Sequence, residues 1–217
     1  MTVRVVLYGS RPDGHARVVF EVLLANTDLE VTGLVDDEPE NAHRRIGQLS
    51  VVGTRRDLAA LREDGLEGVV LGFGGAAGRA AAVAAVRAAG LALPTLVHPS
   101  AHVSTSATLG PGAQVLPLAS VGPGATIGSG AIVNTGAIIE HDVSIADYSV
   151  IGPGAVLAGR AAVREGGEIG ARAVVLPDVV VGDRAVLGAG AVLTATARPG
   201  LIYVGIPARE ISSAGGE

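Results

Sequence analysis

The residues best suited to chemistry lie at Glu140-His141-Asp142. An imidazole on a protein surface exchanges a proton near neutral pH and so serves as a general base. Asp142 adjoins it and can orient the ring or raise its basicity. A lone surface histidine is ordinarily just solvated. Here the surrounding sequence is mostly uncharged, and the repeat described below gives the ring a rigid base.

A second group sits near the N-terminus. Gly9-Ser10-Arg11-Pro12-Asp13-Gly14-His15 separates an apolar run from a helical one. A strand, a glycine turn and a helix start aim backbone N–H groups at an anion, phosphate above all. Asp36 and Asp37 follow Gly14 by about 22 residues and end a second apolar run, where a carboxylate can reach a ribose hydroxyl. The spacing is GxxxxGH rather than GxGxxG. It favours a nucleotide or nucleotide-sugar over a nicotinamide cofactor, and a tight turn with solvated aspartates is the plain alternative. Of the other histidines, His43 reads as loop, His98 as structural, and His102 is unassigned. With no cysteine there is neither a disulfide framework nor a thiolate metal site, and no metal is expected.

What positions His141 is a period of six. Every sixth residue from Val103 to Leu193 is Val, Ile or Leu. Four residues after each comes a small residue or Val, as in Ala107, Ala113, Ala119 and Ala125. A period of six is neither helical nor simply alternating, and marks a hexapeptide-repeat parallel β-helix. Three hexads make one triangular coil, with the aliphatic residue inward on each side and the small one at the corner. His141 follows the inward Ile139 by two, so its ring projects outward.

Before the repeat, strands alternate with helices: a strand over 3–8, a helix over 16–24, a strand over 31–35, a strand over 68–73, a helix over 78–89 and a last strand over 93–98, with Thr54 capping a short helix. That pattern predicts a small Rossmann-like parallel α/β domain. The division expected is residues 1–98 and 99–217, joined at His98-Pro99-Ser100-Ala101 with almost no linker. After Leu193 the repeat is expected to dissolve.

Composition agrees. The chain is 48% hydrophobic but 2% aromatic, so its core is aliphatic, and 32 of 217 residues are glycine, as frequent turns demand. The net charge of −5 gives no footprint for nucleic acid. No charged residue occurs between Ala88 and Ile139, yet Gly, Pro and Ser interrupt that stretch throughout, which excludes an apolar membrane helix. The N-terminus lacks a signal-peptide layout, so a cytoplasmic protein is expected. The uncharged coil surface is expected to face another subunit.

The whole chain resembles the NeuD/PglD-type sugar acyltransferases, a branch of the hexapeptide transferases. The residues carrying the resemblance are Gly14-His15-Ala16, Gly33 to Asp37, Val97 to Ala101, Asn134-Thr135 with Glu140-His141-Asp142, and Val204 to Arg209. The resemblance implies a left-handed β-helix, a homotrimer with active sites between neighbouring β-helices, acetyl-CoA as donor, and a UDP-linked amino sugar as acceptor. It assigns His141 as the base and Asp142 as the group that raises its basicity. It places the nucleotide-sugar at the Gly9-Ser10 and Gly14-His15 turn, Asp36, Asp37 and Gly53. It places acetyl-CoA along Gly170-Ala171 and Gly188-Ala189. Two departures stand out. Val150 occupies a position near the thioester where the family often has histidine, and Arg11-Pro12-Asp13 lengthens the first turn. Three rival readings remain: sugar O-acetylation on the same scaffold, a non-enzymatic scaffold or nucleotide sensor, and a carbonic-anhydrase-like metal site, for which the histidines are too few.

Overall fold

A computed structural model describes residues 2–11 and 14–213. Pro12 and Asp13 of the first turn lie outside the described residues. The N-terminal part is a five-stranded sheet of β1 (Val3–Tyr8), β2 (Leu29–Val35), β3 (Arg45–Ile46), β4 (Leu49–Gly53) and β5 (Gly68–Leu71). Its order is β3-β4-β2-β1-β5, parallel except for the β3–β4 hairpin. Helices α1 (His15–Leu24), α2 (Leu58–Glu63) and α3 (Ala76–Ala88) accompany it. Thr54 closes a capping box with Asp57 ahead of α2, so the cap read from the sequence is present.

The remainder is a left-handed parallel β-helix. Each two-residue strand pairs in parallel with the strand 18 residues on, as in Ser120↔Ile138 and Val121↔Ile139, so three hexads make one rung. The inward aliphatic and small residues form one continuous buried column from Ala113 to Ala208. Each fully buried Val, Leu or Ile contributes about 1.5–3 kcal/mol. Every sixth residue from Gly112 to Gly190 has positive φ. Half of these corners are not glycine: Leu118, Asp142, Tyr148, Arg160, Arg172, Asp178 and Arg184. The rung geometry imposes a left-handed corner on residues that would not choose it.

Two sequence expectations change. The run 93–98 is not a sixth strand of the α/β sheet. That sheet gains only the bridge Gly68↔Ala92, and the chain then crosses over, so that β6 (Leu96–Val97) pairs with Gln114–Val115 as the first strand of the β-helix. Val97 is itself one hexad before Val103, and by pairing residues 96–97 join the coil. At the other end the coil persists beyond Leu193. Ala197 bridges Val181, and Leu201–Val204 pairs with Val186–Leu187 before an antiparallel strand, Arg209–Ser213, turns back.

The two parts are packed together. Val19, Val22 and Leu23 of α1 lie with Leu96, Leu116 and Ile132 of the coil in one buried cluster. On the other side Val83 and Val86 of α3 cluster with Tyr148. Arg79 of α3 is fully buried, and donates through Nε to Gly130 O (2.5 Å) and through Nη1 to Phe73 O (2.6 Å). Burial lowers its pKa to about 10, which leaves it cationic at neutral pH. No described helix is long and apolar enough to cross a membrane.

Candidate active site

His141 and Asp142 form one corner of the β-helix, between the strands Ile138–Ile139 and Ser144–Ile145. Asp142 has φ 59°, a conformation aspartate tolerates better than most residues. Its Oδ2 lies 2.9 Å from His141 Nδ1. A carboxylate only accepts, so Nδ1 carries the proton and the neutral ring keeps its lone pair on Nε2. The ring is about half exposed.

One rung on, Gly159 lies directly against it: a Cβ there would sit 2.4 Å from His141 Nε2. The missing side chain makes room for the basic nitrogen. Beside it, Arg160 and Asp178 form a bidentate pair at 2.7 and 2.8 Å. The Arg160 hydrogen bonds and charge, together with His141, hold Asp178 below the usual carboxylate range.

A second site is a cleft of about 640 Å³ at the carboxyl ends of β1, β2 and β5, the position where parallel α/β sheets bind ligands. Gly9, Gly14, His15, Asp36 and Asp37 line it, as do Tyr8, Arg55, Phe73 and Asn41. Gly9 has φ 117°, and a Cβ there would press on the Phe73 ring at 3.2 Å, so the turn requires glycine. Both α1 and α3 begin at glycines, Gly14 and Gly75, with no side-chain cap, and Gly14 and Gly78 reach the cleft.

The two aspartates divide their work. Asp36 Oδ2 accepts from Ser10 N (2.8 Å) and Ser10 Oγ (2.6 Å), and Oδ1 from Glu38 N (3.0 Å) and Asn41 Nδ2 (2.9 Å). Both oxygens are thus occupied in tying the loops together. Asp37 accepts from the Tyr8 hydroxyl and from Arg55 N, while Arg55 Nε lies 3.3 Å away. Burial and the Asp37 carboxylate push the Tyr8 phenol up, so it stays protonated. Ser10 is fully buried behind the wall. Gly53 also stands outside the lining; its carbonyl accepts from Asp36 N.

The glycines singled out on the coil form a stacked edge. A Cβ on Gly170 would meet Ala189 N at 2.4 Å, and one on Gly188 would meet Val204 at 2.8 Å. Glycine is therefore required there by rung contact alone, and Ala171 and Ala189 stand exposed beside it. This edge precedes the strands Val174–Val175 and Val192–Leu193, whereas His141 follows Ile138–Ile139 on the same coil face. The two are therefore different corners. Val150 is not beside His141 either: it packs against the interdomain cluster under α1. Among the described residues no group of three His, Cys, Asp or Glu side chains could hold a metal ion.

Residues 4–86 match the PglD N-terminal domain, and residues 124–159 and 168–195 match the bacterial transferase hexapeptide (six repeats). The crystal structure of a histidine-to-alanine variant of GDP-perosamine N-acetyl transferase from Caulobacter crescentus, with CoA and GDP-perosamine, superposes with a TM-score of 0.91 at 33% identity, over 96% of this chain and 97% of that one. The chain belongs to the NeuD/PglD-type sugar acyltransferases. Another member, the acetyltransferase domain of PglB from Neisseria gonorrhoeae in complex with acetyl coenzyme A, is 29% identical over 97% of this chain and 100% of that one, with a TM-score of 0.88. No curated protein matches this chain. Within the family frame, Tyr8, Asn41, Arg55, Phe73 and Gly159 are site neighbours that short motifs miss. Gly159 was within reach, being His141 plus one rung of 18 residues.

Proposed function

We propose that this protein is an acetyl-CoA-dependent N-acetyltransferase acting on a nucleotide-linked amino sugar, with His141 as the general base. The observation that carries the reading is the end-to-end likeness to an enzyme crystallised with both CoA and GDP-perosamine. A guanosine-linked amino sugar is accordingly the first acceptor to test, ahead of the UDP-linked one that the family resemblance suggested.

The chemistry follows from the tautomer. The acceptor amine attacks the thioester carbonyl as His141 Nε2 takes its proton. Asp142 holds Nδ1–H and stabilises the imidazolium that forms. The CoA thiolate departs and is protonated. A backbone N–H aimed at the carbonyl oxygen would steady the tetrahedral oxyanion. The nucleotide-sugar is assigned to the cleft of the α/β domain, with Gly9, Gly14, His15 and Asp37 on its wall, and Asp36 and Ser10 bracing the loops behind. The donor is assigned to the edge of Gly170, Ala171, Gly188 and Ala189.

One chain does not bring these parts together, because His141 and the glycine edge bound opposite sides of one coil face. That face carries an outward apolar column, Ile138, Val156, Val174 and Val192. A second copy laid there would bring its own edges to His141, which supports the homotrimer with shared sites that the family implies.

The deciding experiment is a thiol-release assay with acetyl-CoA against GDP-, UDP- and dTDP-linked amino sugars and their hydroxyl counterparts. Turnover is expected with a nucleotide-linked amine. Turnover confined to hydroxyl acceptors would reject the amine. In the same assay Gly159→Ala is expected to cost roughly tenfold in kcat, since the new methyl displaces the ring from its attack position. Its melting curve should stay close to wild type, because the half-exposed ring can swing outward.

A further inference from the structure

Beneath α1, the apolar column that the coil turns toward the α/β domain is interrupted by one buried polar side chain. The outward residues of the coil face beneath α1 are, rung by rung, Leu96, Gln114, Ile132 and Val150. Gln114 is the polar one, and it is 1% exposed. Its Nε2 donates to Leu71 O at the end of β5 (2.6 Å), and its Oε1 lies 3.2 Å from His15 Nε2.

These two bonds fix a proton. A main-chain carbonyl can only accept, so the amide NH₂ must face Leu71 and the amide oxygen must face His15. An oxygen there requires His15 Nε2 to carry hydrogen. The neutral ring then keeps its lone pair on Nδ1, the reverse of His141. No described residue bonds that nitrogen, and His15 lines the cleft. Burial lowers the His15 pKa, the Gln114 hydrogen bond opposes that shift, and the nearby Arg79 charge lowers it further. The other titratable or charged groups of the cleft are Tyr8, Arg11, Asp36, Asp37, Glu38 and Arg55.

We propose that Gln114 is a positioning residue that locks His15 as a hydrogen-bond acceptor toward the cleft, so that His15 reads a hydroxyl or amine donor of the nucleotide-sugar and not its phosphates. A histidine at a helix start invites the opposite assignment, a cationic phosphate ligand. The inference rests on the substrate class proposed above, but its first test does not.

That test is long-range ¹H–¹⁵N NMR of the full-length protein, with the His15 signals assigned by their loss in His15→Asn. At neutral pH the ring is expected to show Nε2 protonated and Nδ1 bare. Gln114→Leu, which matches its column neighbours, should release the ring to a mixture of tautomers. An imidazolium, or an Nδ1–H tautomer in the wild-type protein, overturns the proposal whatever the enzyme acetylates.

The second test is kinetic, with the best acceptor found. Gln114→Glu, when ionised, places a carboxylate against His15 Nε2–H and raises its pKa, while its other oxygen loses the bond to Leu71 O and lowers stability. The KM for the nucleotide-sugar is expected to rise roughly tenfold at pH 7. The KM for acetyl-CoA and kcat should hold within about twofold. In wild type that acceptor KM rises as pH falls through the lowered His15 pKa, and in Gln114→Glu the same rise should begin at higher pH. Both variants lose the bond to Leu71 O and melt lower; a purely structural role would move both KM values together, in Gln114→Leu as much as in Gln114→Glu.

Discussion

Replacing His141 by alanine is expected to reduce kcat by about 10²-fold or more, with both KM values within a few fold of wild type. The expectation rests on where the ring stands. It is half exposed at a corner whose main-chain bonds do not involve it: Asp142 N donates to Pro123 O (2.9 Å) and Arg160 N donates to His141 O (3.0 Å). Removing the imidazole therefore leaves the rung intact, and stability should change by no more than about 0.5 kcal/mol. The loss must then appear in the chemical step. Asp142→Asn separates orientation from charge: the amide oxygen still accepts from Nδ1–H, asparagine tolerates the left-handed corner, and only the negative charge goes. A His141→Ala enzyme turning over within threefold of wild type, measured by thiol release under saturating substrates, would end the assignment of His141 as base.

The fold was legible because a period of six has one economical solution. Each aliphatic residue predicted to point inward between Val103 and Leu193 lies on the inner column or packs against it. The left-handed corner was not legible. It falls on every sixth residue, but Leu, Asp, Tyr and Arg occupy it as often as Gly, so composition carries no mark of it. The first strand of the coil was hidden for a different reason: Leu93 to His98 follows a helix, where an α/β sheet would place its next strand, and only pairing reveals that it has changed sheets. At the candidate site, spacing along the chain singled out His141-Asp142 and the Gly9–His15 turn. It could not find Gln114, which looks like any coil residue until α1 is packed over it. Nor could it separate Asp36 from Asp37, identical neighbours whose side chains diverge at the end of β2.

That divergence carries the second large effect. Asp36→Ala should destabilise the protein by about 3 kcal/mol, because it strips the acceptor from Ser10 N, Ser10 Oγ, Glu38 N and Asn41 Nδ2 in a nearly buried place. For a chain of this size that is a fall in melting temperature of roughly 6–12 °C. Asp36→Asn should fare little better, since its NH₂ turns a donor toward donors. Burial alone would raise the Asp36 pKa, but hydrogen bonds from Ser10, Asn41 and Glu38 outweigh it and hold the carboxyl below its ordinary value of 3.8. A depressed folded-state pKa means that the unfolded chain binds the extra proton first. The stabilisation is therefore fully present above about pH 4 and is lost as pH falls through the lower, folded-state pKa. The gap in melting temperature between wild type and Asp36→Asn should accordingly narrow in acid. A gap that stays constant to the lowest pH at which both proteins fold would mean that the charge of Asp36 is not what braces the loops. The cleft would then owe its shape to Asp37, Tyr8 and Arg55 at its rim.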